Sequence, residues 1–235
     1  MISESIQKEL RRLSDPERAV ALQRFFKTGP SDYGAGDLFR GIRVPALRKL
    51  AKQHRDTPLP DIERLLTSPF HEDRLLALLL LVRRYAEGTD SEKKQAYRFY
   101  LDHTDCINNW DLVDSSAEHI VGDYLEGKSK SPLYVLARSD SLWERRLAIM
   151  ATFCYIKRGG FDETLKIARM LLGDPEDLIH KAVGWMLREV GKRDRDMEET
   201  FLKTCYRRMS RTMLRYAIEK FPEPKRKAYL RGTIE

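Results

Sequence analysis

The sequence predicts an all-α fold, and three observations predict it. Helix starts recur along the chain at Asp15-Pro16, Val44-Pro45, Pro60-Asp61, Asn108-Asn109, Ser131-Pro132, Asp174-Pro175 and Ser210. Asp, Asn and Ser side chains accept from the free N–H groups of a first turn, and a proline there gives up no bond. Gly88, Gly127, Gly159-Gly160 and Gly191 stand where the apolar periods stop, as glycines do when they close helices. Lastly, no alternating Val/Ile/Thr run bounded by turn pairs occurs, so strands are not expected.

Taken in order, the segments pair: 61–66 with 71–86, 92–102 with 109–126, 132–138 with 141–157, 161–172 with 176–191, and 197–208 with 211–220. Units of roughly 35 to 40 residues, each a helix, a turn and a longer helix, are what an α-solenoid of HEAT-like helical pairs requires. A single irregular bundle is the alternative architecture. The expected organisation is one domain over 1–235, with 1–57 an N-terminal helical cap and 58–235 the helical repeats. The second helix of each pair would line a concave, basic face.

Composition narrows the class. With 235 residues, the chain is long enough to bury a core without staples. Cys106, Cys154 and Cys205 form no CxxC pair, which fits reduced thiols. His54, His71, His103, His119 and His180 make no ligand spacing, so no metal and no other cofactor is expected. The first residues carry acids and no apolar run, unlike a secretory signal. The longest apolar run, Leu75 to Val82, falls far short of the about 20 residues a membrane span needs, and reads as a buried helix. The expectation is a cytoplasmic monomer with no membrane contact.

The formal net charge of +7 lies entirely in residues 201–235, where ten Lys/Arg, among them Arg208, Arg211 and Arg215, face three acids. A neutral body with a basic end points to a polyanion, most economically nucleic acid. A solvated basic tail is the alternative, although Met213, Leu214, Tyr216, Ala217, Ile218 and Phe221 give this end its own apolar face.

Three segments carry chemistry. If Asn108 or Asn109 caps a helix, Trp110 and Asp114 stand at i and i+4 and project from one face. In the helix from Leu142, Arg146 falls within the apolar row Leu142, Ile149, Phe153 and Ile156, while Arg145 lies off it. An inward guanidinium keeps its proton and needs a carboxylate or a phosphate; Asp114 is the candidate partner. In the helix from Glu176, Lys181, Trp185, Arg188 and Lys192 share a face, cations for phosphates and an indole for a sugar or base. A structural ion pair with core tryptophans explains the same residues without chemistry.

The segments 109–114 (Asn-Trp-Asp-Leu-Val-Asp), 142–149 (Leu-Trp-Glu-Arg-Arg-Leu-Ala-Ile), 180–192 (His-Lys-Ala-Val-Gly-Trp-Met-Leu-Arg-Glu-Val-Gly-Lys) and 211–221 (Arg-Thr-Met-Leu-Arg-Tyr-Ala-Ile-Glu-Lys-Phe) resemble the signature segments of the DNA alkylation repair family, the AlkD-like DNA glycosylases. The loop from Tyr33 to Pro45 also resembles that family's opening segment, and the likeness runs from about residue 20 to 230, in order. The resemblance implies a HEAT-like solenoid that holds duplex DNA and hydrolyses the N-glycosidic bond of cationic alkylated bases such as 3-methyladenine and 7-methylguanine. It assigns the catalytic carboxylate to Asp114, the paired tryptophans to Trp110 and Trp185, and the arginine to Arg146. Where the family has a DNA-contacting tyrosine, this chain has Phe25, which keeps a stacking surface and loses the hydroxyl. The resemblance also implies a base left stacked during the reaction.

The chemistry follows from the substrate. A cationic purine leaves neutral and needs no general acid, so the demand falls on the sugar, where an oxocarbenium-like charge grows. A carboxylate within about 3 to 4 Å stabilises that charge and orients the water that captures it. Indole faces add cation–π attraction of roughly 0.5 to 2 kcal/mol each. The abasic product implies a downstream nuclease. Two rival functions use the same residues: a non-catalytic solenoid that recognises bent or branched DNA, and a protein-binding HEAT scaffold, which the concentrated basic end disfavours.

Overall fold

A computed structural model describes residues 4–234, and among them the regular elements are helices, with one isolated bridge between Leu38 and Phe70. The chain divides into two compact units, one ending at Ile120 and one beginning at Val121. No helix of the described residues is long and apolar enough to cross a membrane.

The first unit holds α1 (Glu4–Leu13), α2 (Pro16–Phe25), α3 (Val44–Gln53), α4 (Leu59–Leu66), α5 (His71–Glu87), α6 (Asp90–Asp102) and α7 (Trp110–Asp114). The start signals act as read: Asp15 accepts from the Arg18 N–H at the head of α2, and Pro45 and Pro60 sit in the first turns of α3 and α4. α5 is the centre of the unit, with α3, α4, α6 and α7 against it. Its apolar run from Leu75 to Leu81 is buried on every side. Since α3 lies against α5, contacts run across the boundary drawn at residue 57.

One predicted helix is irregular rather than continuous. Over 109–126, the five residues of α7 pass through a turn at 115–116 into a π-helical stretch, Glu118–Gly122, and further helical residues at 123–124. The hydroxyl of buried Ser116 donates to the Leu112 carbonyl at 2.5 Å, and that of Ser115 donates to the same oxygen at 3.3 Å. Serines that take backbone acceptors in this way compete with helix continuation, and π turns commonly mark functional positions.

The second unit holds α8 (Ser131–Leu136), α9 (Leu142–Ala151), α10 (Phe153–Lys157), α11 (Asp162–Met170), α12 (Asp177–Gly191), α13 (Arg195–Cys205), α14 (Arg211–Ala217) and α15 (Glu223–Arg231). The predicted helix over 141–157 is divided at Thr152, whose buried hydroxyl donates to the Ile149 carbonyl at 2.7 Å. α12 is central, touching α9, α10, α11, α13 and α14. α15 is an element outside the predicted pairs. Its one fully buried side chain, Tyr229, packs edge-on against Tyr206 and Phe221.

Two glycines of α12 act through size. A side chain on Gly184 would bring a Cβ to 2.5 Å from the Met213 carbonyl oxygen and from the Tyr216 Cβ, so this glycine sets how closely α14 approaches. Gly191, read from the sequence as a stop signal, is the last residue of α12, and a Cβ there would be 1.5 Å from Glu198 Oε2. It makes room for a buried carboxyl.

Glu198 is 1% exposed, and its Oε1 has no hydrogen-bond partner. Burial raises its pKa from 4.5 to about 8 against the charge of Arg195, with Glu199 adding to the rise. The folded chain thus holds a proton here that the unfolded chain loses above its ordinary value. This contribution to stability is complete below that value and is lost as pH rises toward the folded one. Glu198→Gln should raise Tm, by an amount that grows from about pH 5 to about pH 8 and then levels off. A Tm difference independent of pH would remove Glu198 as the titrating group.

Candidate active site and nucleic-acid interface

The cap of α7 is Asn109, fully buried and extended at φ −151°, whose side-chain oxygen accepts from the Trp110 N–H at 2.9 Å. Trp110 and Asp114 are therefore the first and last residues of the helix and share a face. The indole of Trp110 is stacked on Phe26, with centroids 5.3 Å apart and planes at 18°. Phe25 meets it edge-on at 6.0 Å and is 63% exposed, a free aromatic surface beside the half-buried indole. Asp114 is half-buried, and its charge reaches the interior. The Tyr100 phenol, hydrogen-bonded to Ser116 at 2.8 Å, is raised first by burial, with Ser116 opposing and Asp114 adding.

Beneath α7 lies a buried polar node that sequence reasoning missed. The first turn of α5, His71-Glu72-Asp73-Arg74, is at most 5% exposed. His71 Nε2 lies 2.9 Å from Asp111 Oδ2, and Nδ1 lies 3.4 Å from Asp37 Oδ2. Asp37 also takes Arg74 at 2.7 Å and the amide groups of Asn108 and Asn109 at 3.4 Å each. Glu72 accepts the backbone N–H groups of Arg40, Gly41 and Ile42 at 2.7–3.1 Å, and Asp73 holds Arg40 in a two-point pair at 2.6 and 2.8 Å. The signal was present: four charged residues opening a helix that is otherwise buried must each have a partner. Burial acts to lower His71, and its bonds to Asp111 and Asp37 outweigh that and raise its pKa from 6.5 to about 9. Asp37 is held below the ordinary carboxylate value, as His71 and Arg74 together outweigh its burial.

In the second unit, Arg146 is 5% exposed, as its place in the apolar row predicts, and donates to the Leu178 carbonyl at 2.5 Å. Arg145, although off that row, is engaged as well. It makes a two-point pair with nearly buried Asp174 at 2.6 and 3.3 Å and donates to the carbonyls of Ser139 and Asp140. Lying off the stripe did not leave it idle, because α11 and α12 are joined by a turn that brings Asp174 to it.

The face of α12 with Lys181, Trp185, Arg188 and Lys192 is less basic than its sequence reads. Lys181 pairs with Asp177 at 2.7 Å, Arg188 with Glu219, and Lys192 with Glu189 at 2.6 Å. Glu189, 6% exposed and one turn beyond Trp185, also accepts from the indole Nε1–H at 3.3 Å and pairs with Arg193 at 3.4 Å. Its burial alone would raise its pKa, but Lys192 and Trp185 hold it low and ionised. Trp185 packs against Phe153 at 6.1 Å. On the C-terminal elements, Arg208, Arg211 and Arg215 are exposed, and none makes an ion pair among the described residues; Arg211 donates to the Leu230 carbonyl at 2.6 Å. Phe25, Trp110 and Asp114 thus share the first unit, and the remaining predicted site residues share the second.

An all-α chain with an aromatic wall and a carboxylate on one capped turn, and with unpaired arginines at its basic end, is the kind of protein that works on a polyanion. The sequence matches the DNA alkylation repair enzyme family over residues 6–221. The chain belongs to that family, and its role lies in the repair of alkylated DNA. Among solved structures its fold is similar to a predicted DNA alkylation repair enzyme from Enterococcus faecalis, at 19% identity and TM-score 0.69 over 89% of this chain and 97% of that one. It is also similar to AlkD2 from Streptococcus mutans, at 19% identity and TM-score 0.54 over 88% and 99%. A third likeness is to smu.31 from Streptococcus mutans UA159, at 18% identity and TM-score 0.52 over 86% and 94%. No curated protein matches the sequence.

Arg145→Ala should destabilise the fold by about 3 kcal/mol, the usual size when one partner of a buried pair is removed, because it leaves Asp174 uncompensated. Asp174→Asn, which keeps an acceptor, should cost less. A thermal melt of Arg145→Ala indistinguishable from the parent would show that this pair contributes nothing.

Proposed function

We propose that the protein is a monofunctional DNA glycosylase that hydrolyses the N-glycosidic bond of cationic alkylated purines, 3-methyladenine and 7-methylguanine, in duplex DNA. The observation that carries this reading is α7. A buried cap fixes a short helix whose two ends present an indole and a carboxylate side by side, with the exposed Phe25 ring adjoining. In the reaction the bond from C1′ to the purine nitrogen breaks, and its electron pair discharges the base's positive charge. The cation left on the sugar is stabilised by the Asp114 carboxylate, water adds to C1′, and its proton passes to Asp114 or to solvent. Trp110 supplies a π face to the same charge. The family resemblance gives Trp185 and Arg146 the parts of second indole and of partner to the carboxylate. The product is an abasic site, so a nuclease acting on such sites follows it.

DNA affinity is assigned to Arg208, Arg211 and Arg215, since the cations of α12 already have acids beside them. Phe25 in place of the family's tyrosine favours a second reading, in which the protein binds DNA without excising these bases. The protein is taken to act as a cytoplasmic monomer on DNA.

Asp114→Asn should slow single-turnover release of 7-methylguanine by about 10²-fold, comparable with the loss of one preorganised electrostatic group, and leave DNA affinity equal or higher, because a carboxylate facing phosphates repels them in the ground state. Release as fast as the parent's would end the catalytic assignment, and no release by the parent would leave the second reading. Separately, each of Arg208→Ala, Arg211→Ala and Arg215→Ala should flatten the dependence of log Kd on log salt by about 0.9 for each phosphate that is no longer neutralised, whereas Lys181→Ala should change it little. Equal slopes in all four variants would remove these arginines from the interface.

A further inference from the structure

We propose that His71 is a positioning residue for this reaction, holding the indole of Trp110 and the turn that carries Asp114 from beneath; this rests on the glycosylase reading.

Three independent contacts support it. First, His71 opens α5, the buried centre of its unit, and is 2% exposed, so its ring is fixed to the core. Second, both edges of the ring are occupied by carboxylates, Asp111 at Nε2 and Asp37 at Nδ1. A carboxylate only accepts, so the imidazolium, with two N–H groups, is the one form that satisfies both. Third, the ring belongs to an aromatic cluster, in which Phe26 and Phe39 also stack on each other at 5.1 Å and 23°. Phe39 is at 4.7 Å and 19° and Phe26 at 4.8 Å and 39°, and Phe26 in turn stacks on Trp110 at 5.3 Å and 18°.

These contacts converge on α7 by separate routes. Asp111 is the second residue of α7, and Asn109, its cap, donates to Asp37, the same carboxylate that His71 bonds. Asp114 lies three residues beyond Asp111, nearly one turn. The turn at 115–116 separates α7 from the π-helical stretch that follows, so no continuous ladder of α-helical hydrogen bonds sets its rotation. Anchoring Asp111 and stacking the indole supply that orientation from outside. His71 touches neither substrate nor the reacting atoms and acts through Asp111 and Phe26. Asp111 is consequently an anchor.

The charged groups facing the ring are Asp111 of α7, Asp37 of the loop and Arg74 of α5, while α2 and the loop contribute Phe26 and Phe39. Loss of the proton near pH 9 breaks one of the two edge contacts. The folded value lies above the ordinary 6.5, so the contribution is complete below about 6.5 and fades as pH rises through about 9.

The experiment compares the parent with His71→Leu, which removes both donors and the charge, and with His71→Gln, which keeps one neutral donor toward Asp111. Ile62→Val in the core of α4 controls for lost stability. Single-turnover release of 7-methylguanine at saturating enzyme, duplex DNA affinity, and the indole ¹H–¹⁵N signal of Trp110, assigned by its loss in Trp110→Phe, are measured well below each Tm. Misplacement of a reacting group by about an ångström is enough to slow chemistry by up to about 10². The expected result is release slowed about tenfold or more in His71→Leu, less in His71→Gln and not at all in Ile62→Val, with affinity changed by less than about twofold. The Trp110 signal should titrate near pH 9 in the parent and be flat in His71→Gln. Release in His71→Leu equal to the parent's, or a Trp110 signal identical in parent and His71→Gln, overturns the proposal. If His71→Leu does not fold, His71→Gln and the parent's titration decide. A parent that releases no methylated base sinks the glycosylase reading separately, and the Trp110 signal then decides alone whether His71 sets that turn.

Discussion

Asp37 is a carboxylate 6% exposed to solvent, and four side chains from two other segments meet on it: His71, Arg74, Asn108 and Asn109. Burying one ion costs several kcal/mol even after relaxation, so such a group persists only when its partners are complete. Here two acids, Asp37 and Asp111, face two cations, His71 and Arg74, and this inner set of four is formally neutral. Its members come from three separate stretches of chain, so the loop after α2, the head of α5 and the cap of α7 are fixed by one set of bonds. Glu72 and Asp73 extend it by holding the backbone and side chain at 40–42. The aromatic stack from Phe39 to Trp110 rests on the same histidine.

The second unit uses charge differently. Its cations along α12 are matched by acids from the same helix or from the end of α14, and Glu189 alone serves Trp185, Lys192 and Arg193. The pair that is open to solvent on both sides, Lys181 with Asp177, is of a kind that contributes little stability, commonly 0 to about 1 kcal/mol. All of these pairs set a cost for any phosphate that would take their cations, since a pairing must be given up for each one gained. Arg208 and Arg215 carry no such cost.

What was legible in the sequence was local. Asn109 capping α7 and Arg146 turned inward follow from spacing within one or two helical turns, and each stands where that spacing puts it. What was not legible depends on distant partners or on competition for the backbone. Arg145 meets Asp174 across 29 residues and His71 meets Asp111 across 40, distances over which periodicity says nothing. A survey for metal spacing passes over His71, because its partners are carboxylates from other segments. The break after α7 falls where two serine hydroxyls take the Leu112 carbonyl, a choice between two acceptable bonding patterns that composition does not decide. Glu189 was within reach, one turn beyond Trp185 on the same helix.

On the glycosylase reading, the neutrality of this inner set of four groups has a chemical use. A carboxylate that stabilises a sugar cation must keep its own charge through the reaction, and a free cation beneath it would oppose the charge that develops on the sugar. His71 and Arg74 supply rigidity without doing so, because each is bonded to an acid of its own. The exposed arginines to which that reading assigns DNA affinity lie in the other unit, on the C-terminal elements. Attraction for DNA and stabilisation of the transition state are then supplied by separate residues, and a change in one leaves the other intact. That separation is what permits a carboxylate, which repels phosphate, to serve a protein whose substrate is a phosphate polymer.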